Sequence, residues 1–444
     1  MRYFRRVAVV ATAWGSLATA LPLATAVAAE ARPQPRTERV NTASDGTQAN
    51  AETLGAKVSA DGRFVTFESR ATTLVPGTAK ESRRVYVKDL RTGRTELASV
   101  ASDGTPADDQ SWTTAISGDG RYVVFDSQAK NLAPNRNPGD NYDVFVRDRA
   151  TGRTEVLVEN KGTKPAHSSS PSISADGRYV AFSSSRDDLV PGDTNGQTDV
   201  FVRDRWQGTT ERVSVMSDGT QAEGFSLYPV ISADGSRVAF LSMSDLVAPA
   251  GGQKALQRPR ARALYVHDLR TGRTERGAQS LDGGPVAVTG GFGLSPDGRY
   301  ALFSSASASV VENDTNGKDD AFAKDLVTGV TRRLSLAADG SQADQDSYGG
   351  IVMSADNRRV FFTSLASNLV PGDTNGVEDV FAKDLVTGAV ERVSVAADGA
   401  QADGHSGEPD VDLAGRTLVF GSAADNLVPG DTNKYYDTFV RRIR

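Results

Sequence analysis

The sequence predicts an all-β fold: a seven-bladed β-propeller of four-stranded antiparallel blades, closed by an N-terminal strand that completes the last blade. Three observations predict it. The phrase Ser59-Ala60-Asp61-Gly62-Arg63-Phe64-Val65-Thr66-Phe67 returns from Ser117, Ser174, Ser232, Ser295, Ser354 and, in altered form, Asp412. Its glycine, or the equivalent residue, falls at positions 62, 120, 177, 235, 298, 357 and 415, a spacing that suits one supersecondary unit per repeat. No helix-period segment separates the strand-like runs, which excludes βαβ units and leaves stacked antiparallel sheets.

The elements of one unit follow in order. From Pro171, short β-branched and aromatic runs bounded by Gly, Asp, Asn or Pro predict strands at 172–174, 178–183, 199–204 and 210–215. Ala175-Asp176-Gly177-Arg178 supplies the first hairpin, with a glycine free to take the positive φ of the turn. Thr-Gly pairs such as Thr92-Gly93, Thr151-Gly152 and Thr271-Gly272 supply the third-to-fourth turn. Seven such sheets around an axis make a propeller. The last unit stops at its third strand, Asp437 to Arg441, whereas Thr37-Glu38-Arg39-Val40 matches the fourth-strand residues Thr210 to Val213. Residues 37–41 are therefore expected to pair as the outer strand of the blade made by 409–442. Recurrent Phe67, Phe125, Phe182, Phe240, Phe303, Phe362 and Phe420 are expected in the core.

Composition bounds the rest. The 444-residue chain is 38% hydrophobic and 24% charged, with no cysteine, so lipidation at an N-terminal Cys and disulfides are both excluded. Arg2, Arg5 and Arg6 precede an uncharged run from Val7 to Ala29, with Ala26-Val27-Ala28 as a small-x-small site. That pattern is a secretory signal over 1–28, followed by a linker over 29–36 and a single propeller over 37–444. Removing those three arginines takes the net charge from −6 to −9. So acidic a protein is a poor general binder of nucleic acid. The expectation is a secreted monomer with no membrane span after signal cleavage, extracellular or associated with the cell envelope.

The Ser-x-Asp-Gly-Arg-x-x-x-Phe-x-Ser phrase, followed by a strand ending in Asp and a Thr-Gly turn, resembles the TolB-like (WD-like) propeller repeat over nearly all of 37–444. The resemblance implies a propeller and leaves activity open, because the fold serves periplasmic adaptors, peptidase gatekeeping domains and some polysaccharide lyases. TolB itself carries an extra α/β domain before its propeller, and here a short linker is expected instead. The Gly-x-Ser-x-Gly elbow of prolyl oligopeptidase-type enzymes does not occur in the sequence.

Strand alternation puts the short turns on one rim and the second-to-third and fourth-to-first loops on the other, where function is usually carried. The second-to-third loop reads Asp-Thr-Asn with a further Asp six residues on: Asp193, Asn195 and Asp199; Asp314, Asn316 and Asp320; Asp373, Asn375 and Asp379; Asp431, Asn433 and Asp437. Hard oxygen donors on a turning loop are what Ca²⁺ takes, and these twelve residues are the candidate metal ligands. Asx-turns made by the same side chains are the alternative. An EF-hand is excluded, because Asp199 and Asp204 lie on one strand, roughly 16 Å apart. The motif is degraded at Asn137 to Asp143, and Arg84 and Ala263 replace the last Asp elsewhere.

Histidine occurs at His167, His267 and His405. His267 takes the place of Arg or Lys in other units and is expected on a strand surface, whereas His167 and His405 fall in fourth-to-first loops. A basic insertion between Gly251 and Arg262 could grip an anionic polymer or be a solvated loop. The leading functional expectation is a binding scaffold whose long-loop face holds an unknown protein or a cell-envelope glycan. The alternatives are a polysaccharide lyase-like enzyme and a calcium-stabilised structural envelope module. No catalytic residue is assigned and no cofactor is required, with Ca²⁺ as the one candidate.

Overall fold

Each blade is organised around its Ser-x-Asp-Gly turn or a variant of it, Asn357 taking the glycine's place in blade 6. In the third copy Ser174 Oγ donates to Asp176 Oδ1 (2.5 Å), which also accepts from Arg178 N (2.9 Å), and Tyr179 N closes back on Ser174 Oγ (3.0 Å). In the last copy Asp412 takes the serine's place and accepts from Thr417 N at 3.1 Å. The turn glycine also lets blades approach. Gly120 has φ +71°, and a Cβ there would stand 2.1 Å from Phe64 Cδ2 of the preceding blade.

The computed structural model describes residues 36–78, 82–134, 142–159, 167–247 and 262–443. The expected signal segment, the linker up to residue 35 and most of the basic insertion lie outside them. Among the described residues there are seven four-stranded antiparallel sheets, and no helix is long and apolar enough to cross a membrane. Blades 1 to 6 run over 53–97, 111–156, 168–212, 226–276, 292–333 and 351–392, with strands in sequence order. Blade 7 is built from Ser406–Val411, Thr417–Ser422 and Asp437–Arg442, and Thr37–Arg39 pairs with the last of these. Val40 N continues the ladder to Thr438 O (2.8 Å), and Asn41 Nδ2 bonds Asp437 Oδ1 (2.6 Å), so the expected closure over 37–41 is present.

The core consists of inter-blade layers. Each of the seven apolar clusters joins neighbouring blades, and one packs Val419 and Val440 of blade 7 on Val65, Phe67 and Tyr86 of blade 1, which completes the ring. All seven expected phenylalanines are fully buried. Each stands beside an aromatic ring on the third strand of its own blade, at centroid distances from 5.4 to 6.3 Å. Burial of each ring stabilises the fold by about 1.5 to 3 kcal/mol.

Two expectations need correction. The first strand of blade 3 is longer than the apolar pattern shows: it spans Ser168–Ile173, with a register shift between Ser169 and Ser172. A β-bulge puts extra polar residues into the strand, and its serines read as loop. His267 is not on a surface but 2% exposed, with Nδ1 2.9 Å from Thr274 Oγ1. The reason is the ring: this position of the third strand faces the preceding blade, where Lys324 donates to Arg276 O (2.6 Å) and Lys383 to Leu336 O (2.5 Å). Burial lowers the imidazole pKa to about 4, and Lys324 and Lys383 to about 8.

Candidate functional site

The Asp-Thr-Asn loops lie beside the fourth-to-first loops on one rim, as Gln221 shows by donating to Thr194 Oγ1 (2.7 Å). Within each loop the Asn carboxamide makes an Asx-turn: Asn195 Oδ1 accepts from Gln197 N (2.9 Å), and Asn316, Asn375 and Asn433 do likewise. Its Nδ2 donates to Asp199 Oδ2 (2.8 Å) and Ala222 O (2.9 Å), which ties the loop to its neighbour; Asn316, Asn375 and Asn433 repeat both bonds.

The structure brings the two Asp residues of each loop together around an arginine that the sequence reading missed. Arg212, from the fourth strand of blade 3, lies 3.2 Å from Asp193 and 3.8 Å from Asp199. Arg333 bridges Asp314 and Asp320 (3.1 and 3.5 Å), Arg392 bridges Asp373 and Asp379 (2.9 and 3.2 Å), and Arg39 bridges Asp431 and Asp437 (2.7 and 3.5 Å). A signal was available in the repeats. Blades 1 and 2, which lack the acid pair, carry Leu97 and Val156 where the arginine stands, and Arg276 of blade 4 pairs with Asp245 instead (2.8 Å).

As arranged, these donors do not fit a Ca²⁺ ion. A guanidinium stands between the carboxylates, the Asn amide presents N–H to them, and among the described residues no group of three His, Cys, Asp or Glu is placed to hold a metal. Burial is the main reason that Asp193, Asp199, Asp320, Asp373, Asp431 and Asp437 sit above the ordinary carboxylate value, despite the nearby arginines.

Chemistry that the repeat does not require gathers elsewhere, at the axial mouth on this same long-loop face. The first strands line an axial cavity of about 490 Å³, mostly through apolar residues such as Ile116, Ile173, Ile231 and Leu294, with Lys57 and Asp410 as a charged pair 3.5 Å apart. At the short-turn end, backbone bonds such as Gly118 N to Ala175 O, Ala175 N to Ala233 O and Leu413 N to Ala60 O bind neighbouring blades around the axis.

At the other end the first-strand bulge needs a residue at positive φ. Gly55 fills it in blade 1 (φ +63°), but Ser170, Tyr228 and Glu408 stand there in blades 3, 4 and 7 at φ +55°, +57° and +52°. For a tyrosine or glutamate that conformation costs about 1 to 3 kcal/mol. Tyr228 is 46% exposed. Beside it, Arg262 stands 5.9 Å from the Phe225 and Tyr228 rings; on the same face, at the start of blade 2, Trp112 packs on Tyr142 with centroids 5.4 Å apart. Across the mouth, Arg83 reaches Glu52 (3.0 Å) and Glu68 (3.4 Å), and His405 Nδ1 lies 3.5 Å from Glu378 Oε2. A hydrogen bond to Glu378 pushes the Tyr348 hydroxyl up to about 12. His167 is exposed at the start of blade 3, apart from His405 in blade 7 and the buried His267.

No family model and no curated protein matches the chain. Solved structures do. An oligogalacturonate lyase in complex with manganese has a TM-score of 0.54 at 13% identity, covering 93% of this chain and 97% of that one. An oligogalacturonate lyase from Vibrio parahaemolyticus has a TM-score of 0.54 at 11% identity, covering 93% and 98%. The β-propeller domain of the Trilobed protease from Pyrococcus furiosus, described as having an open velcro topology, has a TM-score of 0.52 at 12% identity, covering 88% and 95%. At such identities the likeness is one of fold: the chain is a seven-bladed β-propeller.

Proposed function

We propose that the protein is a secreted binding scaffold that holds a protein or glycan partner at the axial mouth of its long-loop face. One observation carries the reading: the bulge needs only a glycine, as at Gly55, yet Tyr228 and Glu408 occupy it at positive φ. Strained residues persist where something other than folding holds them in place. Phe225 beside Tyr228, and the Trp112 and Tyr142 pair at the same end of blade 2, supply the rigid aromatic contact area that binding sites favour. Kinship with TolB-like propellers belongs to the same proposal and rests on the repeat residues. Binding is favoured over a metal-assisted lyase reaction because, among the described residues, neither His167 nor His405 belongs to a group of three His, Cys, Asp or Glu placed to hold a metal.

Retention of cell-envelope material on the immobilised full chain tests the reading. Trp112→Ala and Tyr348→Ala should each lose most of the retained partner, whereas Trp206→Ala, on a short turn of the opposite face, should retain it. Equal retention by all three variants would remove the mouth as the site.

A further inference from the structure

Across the mouth from the aromatic group, blades 6, 7 and 1 form a polar recess floored by backbone. Gly407 and Gly55 leave it open: a Cβ at residue 407 would meet Thr363 Oγ1 at 3.6 Å and Tyr436 Oη at 3.8 Å, and one at residue 55 would meet Glu68 Oε1 at 3.4 Å. Glu408 Oε2 stands 3.4 Å from Gly55 N, which joins the two halves. Four carboxylates, Glu52, Glu68, Glu378 and Glu408, share this sector with one guanidinium, Arg83.

An acidic group alone would not make a site, but two buried side chains are left unsatisfied here. Glu68 is 9% exposed and Thr363 4% exposed, and Glu68 Oε2 and Thr363 Oγ1 have no hydrogen-bond partner. Buried acceptors without partners are rare in folded proteins, because each costs about 1 to 3 kcal/mol, so Glu68 on the blade 1 side of Glu408, and Thr363 on the blade 6 side of Gly407, point to donors that arrive from outside. With four carboxylates against one guanidinium, the donor to Glu68 is expected to be positively charged. The axial cavity begins next to the recess, two residues along each first strand from Gly55 and Glu408, at Lys57 and Asp410, which pair with each other.

We propose that the recess between blades 6, 7 and 1 is a subsite for the guanidinium or ammonium of a basic side chain on a protein partner. The proposal rests on the reading of the mouth as a binding site and names what enters it. Glu68 and Glu408 accept the charged donor's hydrogen bonds, and Arg83 holds Glu52 and Glu68 apart from each other's charge.

The test is calorimetric titration of the full chain with a hexapeptide alternating glycine and arginine, at low and high salt, against its glycine-glutamate counterpart and a glucosamine oligomer. Saturable binding of the arginine peptide alone is expected, weakening with salt. Glu408→Gln and Glu68→Gln should each weaken it about tenfold or more. Glu312→Gln, an exposed acid farther out on the same face, should leave it unchanged. Glu408 is exposed, so its variant keeps the measurement decisive should the buried Glu68 variant melt early. Absence of saturable heat, equal binding of the glutamate peptide, preference for the glucosamine oligomer, or wild-type affinity in Glu408→Gln would each overturn the proposal. A chain that still loses its partner on Trp112→Ala but ignores the arginine peptide overturns this inference and leaves the binding mouth standing.

Discussion

At the scale of single residues, two kinds of position carry the fold. Gly120 combines positive φ with contact against Phe64, so Gly120→Ala should destabilise by about 1 to 3 kcal/mol in urea unfolding, from backbone strain and a clash that Phe64 must relieve. An unchanged midpoint would mean the neighbouring blade is not packed on the turn. Arg212 lies between two carboxylates whose side chains are 3% and 0% exposed. Arg212→Ala strands both and should cost about 3 to 5 kcal/mol, whereas Arg212→Met combined with Asp193→Asn should recover part of that loss. A neutral Arg212→Ala would show that some other cation neutralises the loop. The Asp-Thr-Asn motif was legible as an acidic, turn-forming loop, and the Asx-turns were among the readings it allowed. Its arginine was not, because the partner comes from another strand and, in blade 7, from the far end of the chain. Sequence distance hides such a pairing, although the joint presence of acid pair and arginine in blades 3, 5, 6 and 7 would have revealed it.

At the scale of elements, each of blades 1 to 6 pairs an Arg at the start of its second strand with the Asp that ends its third; in blade 7 Arg442 stands in place of that Asp. Arg63 meets Asp89 at 2.7 Å, Arg121 meets Asp148 at 2.8 Å, Arg178 meets Asp204 at 2.6 Å and Arg299 meets Asp325 at 2.7 Å. The arginine's hydrogen bond holds Asp148 and Asp325 down at about 2, and Asp204 below its ordinary value. A carboxylate lowered on folding contributes stability above its unfolded pKa and loses it as pH falls through the folded one, here from about pH 4 towards pH 2. Asp193, Asp199, Asp320, Asp373, Asp431 and Asp437 act in the opposite sense: raised on folding, they favour the folded state at lower pH and penalise it as pH rises through their folded values. Comparison with Asp325→Asn isolates the first effect. The variant should melt lower at pH 7 and converge on the parent towards pH 2; a constant gap across that range would deny the pair its charge. Element boundaries followed the sequence well where apolar alternation was clean, as in Asp199–Asp204. They departed where a bulge brought serine into a strand, as in Ser168–Ile173, because composition there says loop while the ladder says strand.

At the scale of the whole molecule, the ring depends on a short strand that reaches from one end of the described chain to the other. Thr37 pairs with Arg441 and Arg39 with Phe439, and Arg39 also neutralises Asp431 and Asp437. Removing residues 29–42 exposes the Val419 and Val440 layer and leaves that acid pair uncompensated, so the melting temperature should fall sharply. An unchanged melt would mean that the last blade stands on three strands. Sequence repetition made this architecture readable, since seven copies in register fix the blades and the missing fourth strand locates the closure. The same repetition concealed the mouth. Tyr228, Glu408, Trp112 and Glu68 lie where the copies disagree, and disagreement within a repeat reads as tolerance until the fold shows that those positions meet around one axis.

The central claim is that the mouth residues serve a partner at the fold's expense. It is tested most directly by replacing Tyr228 and Glu408 with glycine, the residue that blade 1 uses at the same bulge. Thermal melting and partner retention would be measured on the same preparation. The account predicts a melting temperature at or above that of the parent, together with lost retention. A marked drop in melting temperature with retention intact would contradict it.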